Sequence, residues 1–222
     1  MNLITFDIDG TLLNLKDPME YVNSYMSAFT AQFPRPDNFR EFLPNKIAGL
    51  TDLSLIKFSI NKATDNHANE QNIQKFCDDF AHFFSTNFQK GTIIARGLIE
   101  FLDELKKRNA VLGICSGNLP KIGEMKLQNC NILDYFDKDL RGFCWSSERN
   151  EMIKMIIEKA KEKYNIINVI HIGDTLNDVE ASKEAGAIPV IITQFGLDDS
   201  VMCENSYEDF EKGKDKILSL LK

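Results

Sequence analysis

The chain has 222 residues, 43% hydrophobic and 27% charged, which is typical of a globular protein with room for one α/β domain and a small insert. Its formal net charge is -7 and its longest basic run is Lys106-Lys107-Arg108, which disfavours nucleic-acid binding. No run is apolar enough to span a bilayer or serve as a signal peptide, and five scattered cysteines without a Cys-x-x-Cys pair indicate free thiols. We therefore expect a cytoplasmic protein with no membrane partner, and a monomer, because no strong exposed apolar stripe is evident.

The chain begins with a short apolar run, Leu3–Phe6, that predicts a buried parallel strand. Two carboxylates, Asp7 and Asp9, and a Gly-Thr turn follow it directly. Taken alone, such a pair is most often an Asx-rich turn. At the carboxyl end of a central strand, however, two acids lie where open α/β sheets bind ligands, and a magnesium ion would offset their like charge.

From residue 15 to residue 90 the pattern is helical, without strand-like runs. Aromatic residues recur at helical spacing and predict packing between amphipathic helices. They are Tyr21, Tyr25, Phe29, Phe76, Phe80, Phe83 and Phe84. A further helix is predicted from Asp52 to Lys62. This region reads as a small all-α insert.

After Gly91, predicted strands and helices alternate. The strands are Ala110–Cys115, Leu140–Trp145, Ile166–Ile172 and Ile188–Thr193. The helices are Leu98–Arg108, Pro120–Asn129, Glu151–Lys163, Asp178–Ala185 and Lys214–Leu221, and the third is expected to turn Met152, Met155, Ile156 and Ala160 inward. Such alternation predicts βαβ units and an α/β fold with a parallel sheet.

Polar turns follow three of the predicted strands, at Asp7 and Asp9, at Ser116-Gly117-Asn118, and at Asp174 to Asp178. Parallel strands end at one edge of a sheet, so these turns can converge. Asp7, Asp174 and Asp178 would then form an oxygen-rich site suited to Mg²⁺. Alternatively, Asp174 would cap the N-terminus of the next helix, and the helix dipole would favour the negative charge of Asp178 in its first turn.

Ser116 would hold phosphate oxygens together with backbone N–H groups at a helix start, or would instead cap that helix. Two basic residues precede the last of these turns and could point toward a bound anion. Arg149, just before a helix, is the better candidate and Lys154, inside it, is the other, although most such residues are solvated surface charges. We expect His171 and Cys115 to be core residues.

These motifs together resemble the haloacid dehalogenase superfamily across essentially the whole chain. Asp7-x-Asp9-Gly-Thr-Leu is similar to its first motif, Ser116 at a strand end to its second, and Gly173-Asp174-Thr175-x-x-Asp178 to its fourth. The superfamily's third motif is usually a lysine, often in a Lys-Pro pair. This sequence has no such pair; Arg149 fits an arginine variant of the motif, and Lys154 is the other candidate for the role.

The resemblance implies a Rossmann-like core of residues 1–14 and 91–222 and a helical cap of residues 15–90, similar to the cap of the phosphoglycolate-phosphatase-like branch. Gly49-Leu50-Thr51-Asp52 resembles a cap-loop signature that either faces the substrate or caps the next helix.

The implied activity is that of a Mg²⁺-dependent phosphatase acting on a small phosphomonoester. Asp7 would be the nucleophile and form an aspartyl-phosphate, and Asp9 would be the general acid and base. Asp7, Asp174, Asp178 and the backbone carbonyl of Asp9 would hold the metal. Ser116, Gly117 and Arg149 would bind the phosphate.

Three alternatives stay open at this point. A dehalogenase needs neither Asp9 nor the Asp174–Asp178 pair, so those residues disfavour it. A phosphomutase would use the same residues as a phosphatase. A non-catalytic phosphate-binding protein has no need for an acid at Asp9. Phosphoglycolate, sugar phosphates and nucleoside monophosphates are all possible substrates.

Overall fold

The structure is a computed structural model that describes residues 1–45, 47, 49–144, 146, 148–196 and 203–222. The strands are β1 (Asn2–Phe6), β2 (Leu13–Leu15), β3 (Thr92–Ile94), β4 (Val111–Ser116), β5 (Arg141–Phe143), β6 (Asn168–Gly173), β7 (Ile188–Ile192) and β8 (Ser206–Tyr207). Six of them form one sheet in the order β5-β4-β1-β6-β7-β8, and every pairing in it is parallel. The first strand of the chain is therefore at the centre of the sheet, where its five residues are all buried.

Helices cover both faces of this sheet. The α-helices among the described residues are α1 (Pro18–Thr30), α2 (Asp52–Ala63), α3 (Glu70–Asn87), α4 (Leu98–Lys107), α5 (Pro120–Asn129), α6 (Arg149–Lys163), α7 (Leu176–Glu184) and α8 (Phe210–Leu218). The apolar sides of α4 and α8 pack with Phe6 and Ile114 in one core, and α6 packs with Leu3 and Cys115 in another. The predicted α/β fold is confirmed, with a Rossmann-like parallel sheet between layers of helices.

The helices α1, α2 and α3 lie between β2 and β3 and share an apolar cluster, to which Leu119 and Ile122 at the start of α5 also contribute. The aromatic residues Tyr25, Phe29, Phe76, Phe80 and Phe84 are buried in it, as the helical spacing predicts. We call residues 15–90 the helical insert. A short antiparallel pair, β2 with β3, joins the insert to the sheet domain, and the sequence analysis did not anticipate it because strands of three residues carry too little periodicity.

Other differences are at element boundaries. Helix α6 begins at Arg149, two residues before the predicted start, and Met155 on it is 38% exposed, so the prediction that Met155 faces inward is wrong. Helix α8 spans Phe210–Leu218, with Asp209 capping its first turn, which shifts it from the predicted Lys214–Leu221. The predicted strand end at Trp145 lies outside the described residues. No helix among the described residues has the length and apolar character needed to cross a bilayer.

Candidate active site

The carboxyl ends of the three central strands bring the predicted polar turns together. Asp7 directly follows β1, Ser116 ends β4 and Asp174 directly follows β6, and β1 pairs with both other strands. These residues line a cleft of about 340 Å³ that lies between this edge of the sheet and the helical insert. The convergence expected from a parallel sheet is what the structure has.

Three buried carboxylates lie together at this edge of the sheet, and two of them, Asp7 and Asp174, line the cleft. Asp7, Asp174 and Asp178 each place one oxygen within 4.8 Å of those of the other two. Gly10, at φ +82°, allows the first loop to pass this cluster, because a Cβ there would lie 2.2 Å from Asp174 Oδ2. The close approach depends on a residue that has no side chain and tolerates a left-handed backbone.

Arg149 supplies the positive charge within this cluster. Its Nη1 lies 3.1 Å from Asp7 Oδ2 and 3.1 Å from Asp178 Oδ1, and it also donates to the carbonyl of Cys115. The residue is 5% exposed, and its Nε is buried without a hydrogen-bond partner among the described residues. The other candidate, Lys154, is exposed on α6. Arg149 lines the cleft, and a guanidinium there is suited to an anionic ligand.

The cluster carries more negative than positive charge. Burial raises the pKa of Asp7, and burial together with Asp7 and Asp178 raises the pKa of Asp174 to about 8. Burial also opposes ionisation of Asp178, but Arg149 and a hydrogen bond from His171 outweigh it and hold the pKa of Asp178 below its usual range. Three ionised carboxylates beside one guanidinium would leave two negative charges in excess, which a divalent cation would balance.

The hydrogen bonds show which oxygens are free to bind a cation. Asp178 Oδ1 faces Arg149 and His171, and its Oδ2 accepts from Thr175 N and Oγ1. Asp174 Oδ1 accepts from Thr11 Oγ1 at 3.3 Å, whereas its Oδ2 has no donor among the described residues. The donor set thus fits Mg²⁺, with Asp174 suited to direct coordination and Asp178 to a supporting position.

The N-capping alternatives for Ser116 and Asp174 are not what the structure has. The residue that precedes α5 is Leu119, so Ser116 is not a cap, and Thr175 rather than Asp174 caps α7. Asp178 completes a capping box with Thr175, so it combines a structural contact with its place in the acidic cluster. Ser116 is fully buried in the floor of the cleft, and its Oγ accepts from the side-chain amide of Asn118 at 2.9 Å.

Asp9 has partners that the sequence analysis missed. Lys126 Nζ lies 2.9 Å from Asp9 Oδ1 and 2.7 Å from Oδ2, and Asn118 Nδ2 donates to Oδ2 at 2.6 Å. Lys126 lies on the inner face of α5, one turn after the buried Ile122, and is 1% exposed. A lysine on the apolar face of a predicted helix is the signal that could have found it.

The helical insert closes the other side of the cleft. Asp52 at the start of α2 accepts hydrogen bonds from Tyr21 Oη and from Leu119 N, and burial raises its pKa to about 6. A Cβ on Gly117 would lie 2.9 Å from Thr51 Cα, so glycine permits the insert to approach the β4 loop. Thr51 caps α2, while Gly49, Leu50 and Asp52 line the cleft. The loop therefore both caps the helix and faces the cleft.

Two residues expected to be structural are buried in the core. His171 in β6 is fully buried, with Nδ1 2.9 Å from Thr5 Oγ1 and Nε2 3.3 Å from Asp178 Oδ1. Cys115 is fully buried, and burial raises the pKa of its thiol to about 12, which suppresses the thiolate.

Comparison with known proteins gives matches over most of the chain. The family model described as haloacid dehalogenase-like hydrolase matches residues 4–192. A phosphoglycolate phosphatase from Synechococcus elongatus is 30% identical over 103 residues, which are 46% of the chain and 47% of that protein, so the match spans about half the length of this relative.

Two solved structures share the fold. A HAD hydrolase, family IA, variant 3, from Entamoeba histolytica superposes with a TM-score of 0.71 at 20% identity, over 99% of each chain. A predicted phosphoglycolate phosphatase from Haemophilus somnus superposes with a TM-score of 0.69 at 18% identity, over 98% of this chain and 97% of that chain.

Proposed function

The chain belongs to the family of haloacid dehalogenase-like hydrolases, and from this membership and the geometry of the cleft we propose that it is a Mg²⁺-dependent phosphatase. Its substrate is a small phosphomonoester, hydrolysed in two steps through an aspartyl-phosphate on Asp7. The observation that carries the proposal is the cluster of Asp7, Asp174 and Asp178 beside Arg149, with Asp9 two residues beyond the nucleophile.

In the first step, a carboxylate oxygen of Asp7 attacks phosphorus and the bond to the ester oxygen breaks. Ile8 N donates to Asp7 Oδ1 at 2.8 Å and Arg149 lies against Oδ2, so the nucleophile is held in a fixed orientation at the strand end. Asp9 gives a proton to the leaving alkoxide. In the second step Asp9 takes a proton from water, and the water oxygen displaces Asp7 from phosphorus.

The transferred phosphoryl group develops charge on its equatorial oxygens. The Ser116 hydroxyl, the backbone of Gly117 and the guanidinium of Arg149 are the groups proposed to bind them. A bound Mg²⁺ would supply further positive charge to stabilise the transferred phosphoryl group. Asp7, Asp174 and the carbonyl of Asp9 would hold it, with Asp178 supporting its shell.

We also propose that residues 15–90 act as a cap. Tyr21, Leu50, Asp52 and Leu55 of the insert line the cleft opposite the acidic cluster. A side chain placed there contacts the part of the substrate beyond the phosphate and excludes bulk water from the reacting atoms. The cap would therefore decide which phosphomonoester is accepted.

The test is phosphate release, with and without Mg²⁺, from phosphoglycolate, glucose 6-phosphate, a nucleoside monophosphate and 4-nitrophenyl phosphate. The proposal expects release that requires the metal, is lost in Asp7→Asn and is retained in Asp215→Asn, a matched change of an exposed aspartate on α8. Interconversion of sugar phosphates without phosphate release would instead establish a phosphomutase. Turnover retained in Asp7→Asn would refute the assignment of the nucleophile.

A further inference from the structure

We infer that Lys126 is a positioning residue for the reaction, and that its buried ammonium fixes the Asp9 carboxylate at the site of proton transfer. This inference rests on the proposed function, because it takes Asp9 to be the general acid and base. Lys126 lies on α5, outside the loops that follow the strands and outside the Asp7, Ser116 and Asp174 motifs.

The hydrogen bonds of Lys126 converge on Asp9. Its Nζ contacts both Asp9 oxygens, at 2.9 and 2.7 Å, and lies 2.6 Å from Asn118 Oδ1. Asn118 in turn donates to Asp9 Oδ2 and to Ser116 Oγ. The three N–H groups of the ammonium thus have three oxygen acceptors in one network, which joins the proposed general acid to the proposed phosphate-binding serine.

The surroundings of Lys126 indicate that this contact is specific. The side chain is 1% exposed, and its Nζ lies 5.0 Å from the ring centroid of Tyr21 and 5.8 Å from that of Phe84. Burying an ammonium among aromatic rings is costly unless a carboxylate compensates. Among the described residues, Asp9 is the carboxylate that pairs with Lys126. The free energy needed to bury the ammonium is therefore offset by a contact with the proposed general acid.

Asp9 itself needs a fixed partner. Its side chain is 41% exposed to the cleft, so a free carboxylate there would exchange between rotamers. Lys126 approaches from the sheet domain while Tyr21 and Phe84, from the insert, cover the ammonium. Removal of the ammonium leaves Asn118 as the remaining side-chain donor to Asp9 among the described residues, and Asp9 then protonates the leaving group less effectively.

The test compares two leaving groups in Lys126→Met, which keeps the length of the stem and removes the charge. The stabilised phenolate of 4-nitrophenyl phosphate leaves without protonation, whereas an alkoxide requires it. We expect kcat/KM for the best alkyl phosphate of the panel to fall by about 10²-fold, the typical contribution of general acid catalysis, and by no more than about threefold for 4-nitrophenyl phosphate. Lys121→Met, an exposed lysine on the same helix, is the matched control.

A double-mutant cycle with Asp9→Asn completes the test. If Lys126 acts through Asp9, then Lys126→Met adds little to the alkyl phosphate defect of Asp9→Asn. Equal losses on both substrates, or a full additional loss in the double variant, would overturn the role of Lys126 while leaving the phosphatase proposal intact. A wild-type protein without turnover would overturn the proposed function and this inference with it. If Lys126→Met does not fold, Lys126→Arg, which keeps the charge but shifts the donors, is assayed for the same difference between leaving groups.

Discussion

Asp174→Asn tests the proposed metal site without any assay of activity. Asp174 is buried beside Asp7 and Asp178, and Arg149 compensates one of the three charges. Asparagine keeps the shape and an acceptor for Thr11 Oγ1 but removes one negative charge. We therefore expect the variant to stabilise the metal-free protein and to abolish its stabilisation by Mg²⁺.

The magnitude follows from the pKa of Asp174, which burial and its two acidic neighbours raise from 3.8 to about 8. Between these values the folded state holds a proton that the unfolded chain has lost, so the stability of the metal-free protein falls as the pH rises from about 4 to about 8. At about 1.4 kcal/mol per pKa unit, ionisation of Asp174 costs about 6 kcal/mol above that range. Water in the cleft screens part of this cost, and we expect at least about 2 kcal/mol to be measured.

The measurement is thermal unfolding at about pH 9 in EDTA and again in excess Mg²⁺. For a chain of this length, 2 kcal/mol raises the midpoint by roughly 4 to 8 °C, and that gain should shrink toward zero by about pH 4. Mg²⁺ at about a hundred times its dissociation constant should stabilise the wild type by about 2.7 kcal/mol and the variant hardly at all.

Asp215→Asn, an exposed aspartate on α8, is the matched control and should change neither quantity. A metal-free Asp174→Asn protein less stable than the wild type at about pH 9 would refute the argument from excess charge. Equal stabilisation of variant and wild type by Mg²⁺ would refute Asp174 as a ligand.

Three further substitutions test the remaining parts of the site. Asp7→Asn should abolish phosphate release while leaving the fold intact by circular dichroism, and a slow residual turnover that scales with enzyme concentration would contradict its role as nucleophile. Arg149→Met should lower the free energy of unfolding in urea by about 3 kcal/mol, because it leaves buried carboxylates unpaired, whereas exposed Lys154→Met should change it by less than about 0.5 kcal/mol. If Arg149→Met and Lys154→Met had similar effects on stability and on kcat/KM, Arg149 would not be the cation that binds the phosphate. Gly10→Ala should displace Asp174, since Gly10 has φ +82° and an added Cβ would lie 2.2 Å from an Asp174 carboxylate oxygen. The Mg²⁺ concentration needed to raise the unfolding midpoint should then increase at least tenfold. An unchanged Mg²⁺ titration would show that the two loops separate at little cost in free energy.

Much of the fold follows from local patterns in the chain. The apolar runs predicted at Leu3–Phe6 and Ile166–Ile172 correspond to the central strands β1 and β6, and the aromatic spacing of the insert gives the buried faces of α1 and α3. Boundaries and short elements were less predictable. The pairing of β2 with β3 depends on partners nearly eighty residues apart. Met155 satisfies a helical spacing yet is exposed, because the face of α6 that packs into the core is formed by Met152, Ile153 and Ile156.

The sequence by itself determined the chemistry available at the sheet edge. Strands that end in Asp7, Ser116 and Asp174 must bring these side chains together if the sheet is parallel, because all such strands end on one side. Only the tertiary structure decided how the charges are matched. Arg149 is in the acidic cluster while Lys154 is exposed to solvent, and Lys126 pairs with Asp9. These contacts depend on which faces of α5 and α6 are buried against the core. The local periodicity of a helix does not indicate which residue lies opposite a given side chain across a cleft. The packing of the helices on the sheet determines these charge pairs.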